Sequence, residues 1–155
     1  MSIPAPTSRA ELEALALRFT DAFNRDDLDE VMTYFAEDAV YVPPDGREAR
    51  GRAAIREAFV PQFRGDYGRM RFLMEEVLVD EHVGRVVLRW RCQHDLSPGT
   101  GLPGLVGLKR RFYRSVYGRD FGWHGLDVLH FSQGLLRDKR TYTQAKLPRM
   151  RRGTP

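Results

Sequence analysis

The feature that most constrains this chain is a single change in hydrophobic period. Up to Phe63 apolar residues recur at helical spacing, about 3.6, and from Arg69 onward they alternate with a period of about 2. In the first part, Thr7 or Ser8 can cap a helix, and Ser8 with Glu11 matches a capping box. Leu12, Leu15, Ala16, Phe19 and Phe23 then share one helical face. Asn24 to Asp27 interrupts the pattern. Asp27 and Glu30 form a second possible box, opening a helix with Leu28, Val31, Met32 and Phe35 on one side. So short a join makes the two helices pack together. Ala39–Val42 is short and β-prone, and Pro43-Pro44-Asp45-Gly46 ends it as a turn. A third helix is expected from about Arg52 to Phe63, with Gly51 before it and Ile55, Ala58 and Phe59 facing inward.

In the alternating part, Arg69–Asp80 carries Met70, Phe72 and Met74 on one side and slips phase near Glu75-Glu76, which suggests a bulge. Asp80-Glu81-His82 turns into Val83–His94, where Val86, Leu88, Trp90 and Cys92 share a face opposite Val87, Arg89 and Arg91. The two runs read as a long antiparallel hairpin. Trp123–Phe131 and Leu135–Ala145 are two further strands joined at Ser132-Gln133-Gly134.

Asp95–Gly122 fits two patterns. Leu105, Leu108, Phe112 and Val116 keep helical spacing, whereas Phe112-Tyr113 and Val116-Tyr117 are good strand formers. A strand ending in a loop is expected, because a long hairpin sheet needs a partner. Ser97–Gly101 and Gly104–Gly107 read as loop chemistry, a mobile lip over any pocket.

Helices followed by a mainly antiparallel or mixed sheet make an α+β domain. A curved, conical sheet wrapped around the N-terminal helices leaves an apolar pocket where its taper is not filled. One domain is expected over residues 7–146, with a basic, frayed tail over 147–155. No run approaches the roughly 18 apolar residues of a membrane span, and the N-terminus does not read as a signal peptide, so a cytoplasmic location and no membrane partner are expected. Cys92 is the only cysteine, so no intrachain disulfide forms, and its strand position reads as an inert core thiol.

The formal net charge is +4, with Lys109, Arg110, Arg111, Arg114 and Arg119 in one strip. Basic residues among aromatics can grip single-stranded nucleic acid, but they also solvate a surface or protect an edge strand. No recognition helix or zinc-finger pattern accompanies them, which disfavours nucleic acid. Phosphate-binding and nucleophile-elbow glycine motifs are absent, and the histidines lack metal-ligand spacing, so neither cofactor nor metal is expected.

Phe23-Asn24-Arg25-Asp26-Asp27-Leu28, then Phe35-Ala36-Glu37-Asp38-Ala39-Val40-Tyr41, resembles the opening of the nuclear-transport-factor-2-like superfamily. Gly51-Arg52-Ala53-Ala54-Ile55, Gly125 through Phe131, Gly134, Tyr142 and Lys146 extend the likeness over about Glu11 to Lys146. The group includes ketosteroid isomerases, SnoaL-like polyketide cyclases and limonene epoxide hydrolases. The resemblance implies a deep pocket between sheet and helices, and a homodimer formed through the outer sheet face. Against the isomerase pattern, the general-base position holds Pro43 and the oxyanion tyrosine position holds Phe19. Only the late-strand aspartate is matched, by Asp127, which also fits the acid or base of the cyclases. The Asp-Arg-Asp network of the epoxide hydrolases is not completed around Arg89 or Arg91.

Asp127 is the leading candidate. It shares strand parity with Trp123, Leu129 and Phe131, and a carboxylate on an apolar face must be partnered or become usable for proton transfer. The alternative is a structural carboxylate, salt-bridged to Arg89 or Arg91. Tyr41 and Arg89 are the remaining catalytic candidates, as donors to a developing oxyanion. Phe19, Tyr34, Met74, Trp90, Trp123 and Leu129 are candidate walls for a hydrophobic small molecule. His124 and His130 take the opposite parity and read as surface or interface residues. His94 reads as structural. The expected function is a cofactor-independent cyclase, isomerase or dehydratase acting on a hydrophobic carbonyl compound. The alternative is a non-catalytic binding or interaction domain of the same fold.

Overall fold

The computed structural model describes residues 8–96, 104–117 and 122–144. Thr7, Ser97–Gly101, Arg119, Ala145, Lys146 and the proposed tail lie outside them.

Helix α1 (Arg9–Asn24) starts where the sequence places it. The Ser8 hydroxyl accepts from the Glu11 amide, and the Glu11 carboxylate accepts from the Ser8 amide at 3.1 Å. Both satisfy donors that a helix N-terminus would otherwise leave unpaired. Asp27 caps α2 (Leu28–Thr33) by accepting from the Glu30 amide at 2.8 Å. Helix α2 stops before Phe35, which opens strand β1 (Phe35–Val42), longer than its apolar run suggested. A two-residue strand, β2 (Ala49–Arg50), leads through Gly51 into α3 (Arg52–Phe63). Gly51 holds φ at +82° while its amide donates to the Ala39 carbonyl, a left-handed corner that suits glycine. Ile55 and Phe59 of α3 are buried, and Ala58, though exposed, borders the cavity described below.

Strands β3 (Arg69–Asp80) and β4 (Arg85–Asp95) form the hairpin, with the predicted slip between Met74 and Glu76. Strands β5 (Gly122–Ser132) and β6 (Leu135–Gln144) complete a sheet of order β2-β1-β6-β5-β4-β3. Every neighbouring pair is antiparallel except β1 with β6, which is parallel. Helix α1 crosses β3 and β4, and the Asn24 side chain pins it there by hydrogen bonds to the Phe72 amide and carbonyl at 2.7 and 3.0 Å. The sheet wraps the N-terminal helices around one core centred on Phe19, Phe35, Leu88 and Leu129.

The region read as strand and loop is a helix, α4 (Gly104–Tyr117), and Gly104 to Gly107 belong to it. The sheet takes in no strand between the hairpin and β5: β5 pairs directly with β4, Trp90 opposite Gly125. The helical spacing of Leu105, Leu108, Phe112 and Val116 is therefore the true signal. Yet that stripe points outward, with Leu105 79% exposed, while Val106 (4%) is the residue buried beneath. Lys109 and Arg110 fasten the helix, Lys109 to Asp66 at 3.1 Å and Arg110 to the Gly65 carbonyl at 2.9 Å. Asp66 also receives Arg64 at 2.7 Å, and that hydrogen bond, reinforced by Lys109, holds its carboxyl down at about 2. Two residues of the basic strip, Lys109 and Arg110, thus have a structural task.

Candidate functional site

A cavity of about 600 Å³ opens between the concave sheet face and α1, α3 and α4. Its volume lies in the usual range for small-molecule sites. Phe19, Phe23, Phe59, Phe72, Trp90 and Trp123 supply aromatic wall, and Tyr113 of α4 stands at its border, edge to face with Tyr67. Gly125 gives Trp90 room. A Cβ there would lie 2.6 Å from the Tyr142 carbonyl oxygen and 2.5 Å from the indole. The Trp90 indole N–H is buried and meets no acceptor among the described residues.

Polar groups converge at one place on this wall. Asp127 on β5 and Lys139 on β6 are both buried, and Lys139 Nζ lies 2.5 Å from Asp127 Oδ1. The Thr141 hydroxyl closes the triangle, accepting from Lys139 at 2.7 Å and donating to Asp127 at 2.6 Å. Tyr41 on β1 borders the group, its ring centroid 5.3 Å from Lys139 Nζ and its face stacked on Phe59 at 4.7 Å. Burial pulls the Lys139 ammonium below its ordinary range, while the Asp127 carboxylate pulls the other way. Burial, reinforced by the Asp127 charge, raises the Tyr41 phenol, so it stays a protonated donor.

Of the residues singled out in the sequence, the structure brings Asp127, Tyr41, Phe19, Trp90 and Trp123 to the cavity. Tyr34, Met74 and Leu129 do not line it. Tyr34 packs edge to face on Phe19, Met74 lies against the core, and Leu129 is wholly inside it. Arg89 is corrected more firmly. It points from the opposite face of β4 to Trp90, is more than half exposed, and pairs with Glu76 at 3.1 Å. It reaches neither Asp127 nor the cavity; among the described residues the cation paired with Asp127 is Lys139, not Arg89 or Arg91. Pro43 and Phe19, which the resemblance sets against the isomerase base and tyrosine, both border the cavity.

His94 is buried, its Nδ1 2.9 Å from the Tyr67 carbonyl, and burial lowers its proton affinity. Burial pushes the Cys92 thiol up to about 12, which suits an inert core group. Among the described residues no cluster of His, Cys, Asp and Glu could hold a metal, and no helix is long and apolar enough to cross a membrane.

Lys139 and Thr141 were missed in the sequence. One signal was present: only three of the chain's 25 basic Lys and Arg residues are lysine. A lysine inside an otherwise arginine-built chain marks a position where a primary amine differs from a guanidinium.

A helix-filled, six-stranded mixed sheet with a carboxylate on its concave wall defines a nuclear-transport-factor-2-like α+β domain. Within that superfamily the chain matches the model of the SnoaL-like domain over residues 16–138, and it belongs to that family. Solved structures agree on the fold. SalBIII, described as an epoxide hydrolase/cyclase-like enzyme in pyran ring formation of the polyether salinomycin, is 15% identical, with 90% of this chain and 95% of that one covered at a TM-score of 0.67. A protein from Jannaschia sp. CCS1, provisionally described as a SnoaL-like polyketide cyclase, is 15% identical over 93% of this chain and 92% of its own, with a TM-score of 0.67. A provisionally described polyketide cyclase from Xanthomonas campestris pv. campestris is 21% identical over 86% and 90%, with a TM-score of 0.65. At these identities the likeness concerns the fold. No curated protein matches the sequence significantly.

Proposed function

We propose that the chain is a small acid–base enzyme acting on a hydrophobic carbonyl compound, of cyclase, isomerase or dehydratase type. The observation that carries this reading is the buried Asp127–Lys139 pair on the wall of an aromatic cavity. A carbonyl compound gains acidity next to its C=O when positive charge receives the electrons. Lys139 supplies that charge and Tyr41 is a protonated donor beside it. Asp127 takes the proton from carbon and returns it at another atom, or to a leaving hydroxyl. The aromatic wall selects an apolar skeleton and excludes water from the proton transfer. The similarity to structures described as cyclases supports the same class of substrate.

The test is turnover of a panel of hydrophobic ketones and aldehydes by wild type and Asp127→Asn. A loss of about 100-fold or more is expected in the variant for any compound that wild type converts. Activity retained in the variant would remove Asp127 from the chemistry.

A second reading, a ligand-binding domain without catalysis, is favoured by one observation: Asp127 already has two partners, Lys139 and Thr141. Under it, compounds would stabilise the protein and none would be converted.

A further inference from the structure

We propose that Lys139 is a nucleophile, which captures the carbonyl carbon of the substrate as an iminium ion. The proposal deepens the reading of the cavity as a carbonyl site and rests on it.

Residue choice points to this role. Where the chain pairs charges it uses arginine almost throughout, as in Arg25 with Glu30, Arg56 with Asp29 and Arg137 with Asp38. Guanidinium stays protonated and is no nucleophile, whereas an amine can give up its proton and attack. The three lysines are Lys109, Lys139 and Lys146. Lys109 is half-exposed and tied to Asp66, and Lys146 lies outside the described residues. Lys139 alone is seen to present a buried amine to a cavity able to hold a small molecule.

Geometry supplies the proton handling. Lys139 Nζ contacts Asp127 directly at 2.5 Å, and Thr141 offers a second path at 2.7 and 2.6 Å. Asp127 receives a proton from the ammonium, and the freed lone pair forms a carbon–nitrogen bond as the carbonyl π pair moves to oxygen. That oxygen is protonated twice and leaves as water. Both protons come from the original ammonium through Asp127, so the ketone and the ammonium become the iminium and water, with Asp127 again a carboxylate. One positive charge stood beside Asp127 at the start, and one stands there at the end. A low-dielectric wall tolerates such an exchange better than the appearance of an isolated oxyanion. Burial already draws Lys139 towards its neutral form. The iminium then accepts the electrons released when Asp127 removes a neighbouring proton, and water returns to free the product.

The experiment is reductive trapping. The full chain is incubated with 4-phenylbutan-2-one and cyanoborohydride, and its peptides are mapped by mass spectrometry. The expected result is an adduct on the Lys139 peptide, equal to the ketone less one oxygen atom. It should exceed labelling of Lys109 and the N-terminal amine by an order of magnitude. Lys139→Arg, shown to be folded by its thermal melt, should lose the adduct. Equal labelling of Lys109 and Lys139, or an adduct surviving in Lys139→Arg, would overturn the proposal. A ketone that stabilises wild type against heat without forming an adduct would overturn the covalent step and leave the acid–base reading standing. If neither this ketone nor the wider carbonyl panel binds, both fall.

Discussion

Lys139 reaches Asp127 on a diagonal: the residue directly across from Asp127 is Thr141, and the residue across from Lys139 is Leu129. The long lysine stem spans the offset, so ammonium and carboxylate meet on the cavity wall while Leu129 stays in the core. A buried pair of this kind is costly to break from one side, because the charge that remains has lost its counter-charge.

Lys139→Met should therefore destabilise the protein by about 3–5 kcal/mol in urea unfolding. The double variant Asp127→Leu with Lys139→Met should recover most of that loss. Single losses that simply add in the double variant would show that the pair is not coupled.

Stability should depend on pH through His94. Its folded-state affinity for protons is depressed by burial below the ordinary 6.5, so in the window below 6.5 the unfolded chain binds a proton that the folded chain does not. Stability then rises with pH through that window and levels off above it. In His94→Gln this part of the dependence should vanish, measured as the difference between the two urea midpoints across pH. An unchanged slope would mean that His94 protonates freely in the fold.

Gly125→Ala should cost about 1–3 kcal/mol, because the added methyl group meets a backbone carbonyl that cannot swing aside. Trp90 must also move, so tryptophan emission should change, and binding of an aromatic ketone should weaken. A variant with wild-type stability and emission would show that β5 and β6 can separate locally without consequence.

The outer sheet face gives a further expectation. Leu78 is exposed there and Val87, Leu126 and Val128 are half-buried, an apolar patch on the side away from the helices. The homodimer expected of the fold should use it. Light scattering should find a dimer for wild type and a monomer for Leu126→Glu with Val128→Glu, without loss of the circular-dichroism signal. A monomeric wild type at high concentration would dispose of this assembly.

The elements themselves were legible in the residues because their causes are local. Ser8 with Glu11 caps α1 as a full box and Asp27 caps α2, although there the Glu30 carboxylate turns to Arg25 instead of closing a second box; the apolar residues between the caps fall on the buried face. The doubled glutamate at 75 and 76 marked the bulge in β3, since two charged residues there break an otherwise regular alternation. Asp127 could be placed on the inner face by parity with Trp123 and Leu129. Arg89 could have been excluded on the same ground, for it alternates with Trp90 and Leu88.

Two matters needed the tertiary structure. One is α4, whose helical spacing competed with strand-forming residues; the direct pairing of β4 with β5 supplies the hairpin's partner, so no strand from 104–117 is needed there. The other is the partner of Asp127. Leu136 is buried, and strict alternation from it would bring Asp138, Arg140 and Tyr142 inward and turn Lys139 to the outside. Instead the ladder shifts: Phe131 pairs with Leu136 but His130 with Asp138, leaving Arg137 as the extra residue. One inserted residue reverses every later side chain, and so Lys139 and Thr141 face the cavity. Period and caps are properties of neighbours along the chain and can be read from it. Register is a property of two strands held together by the rest of the fold, and here register put the amine beside the carboxylate.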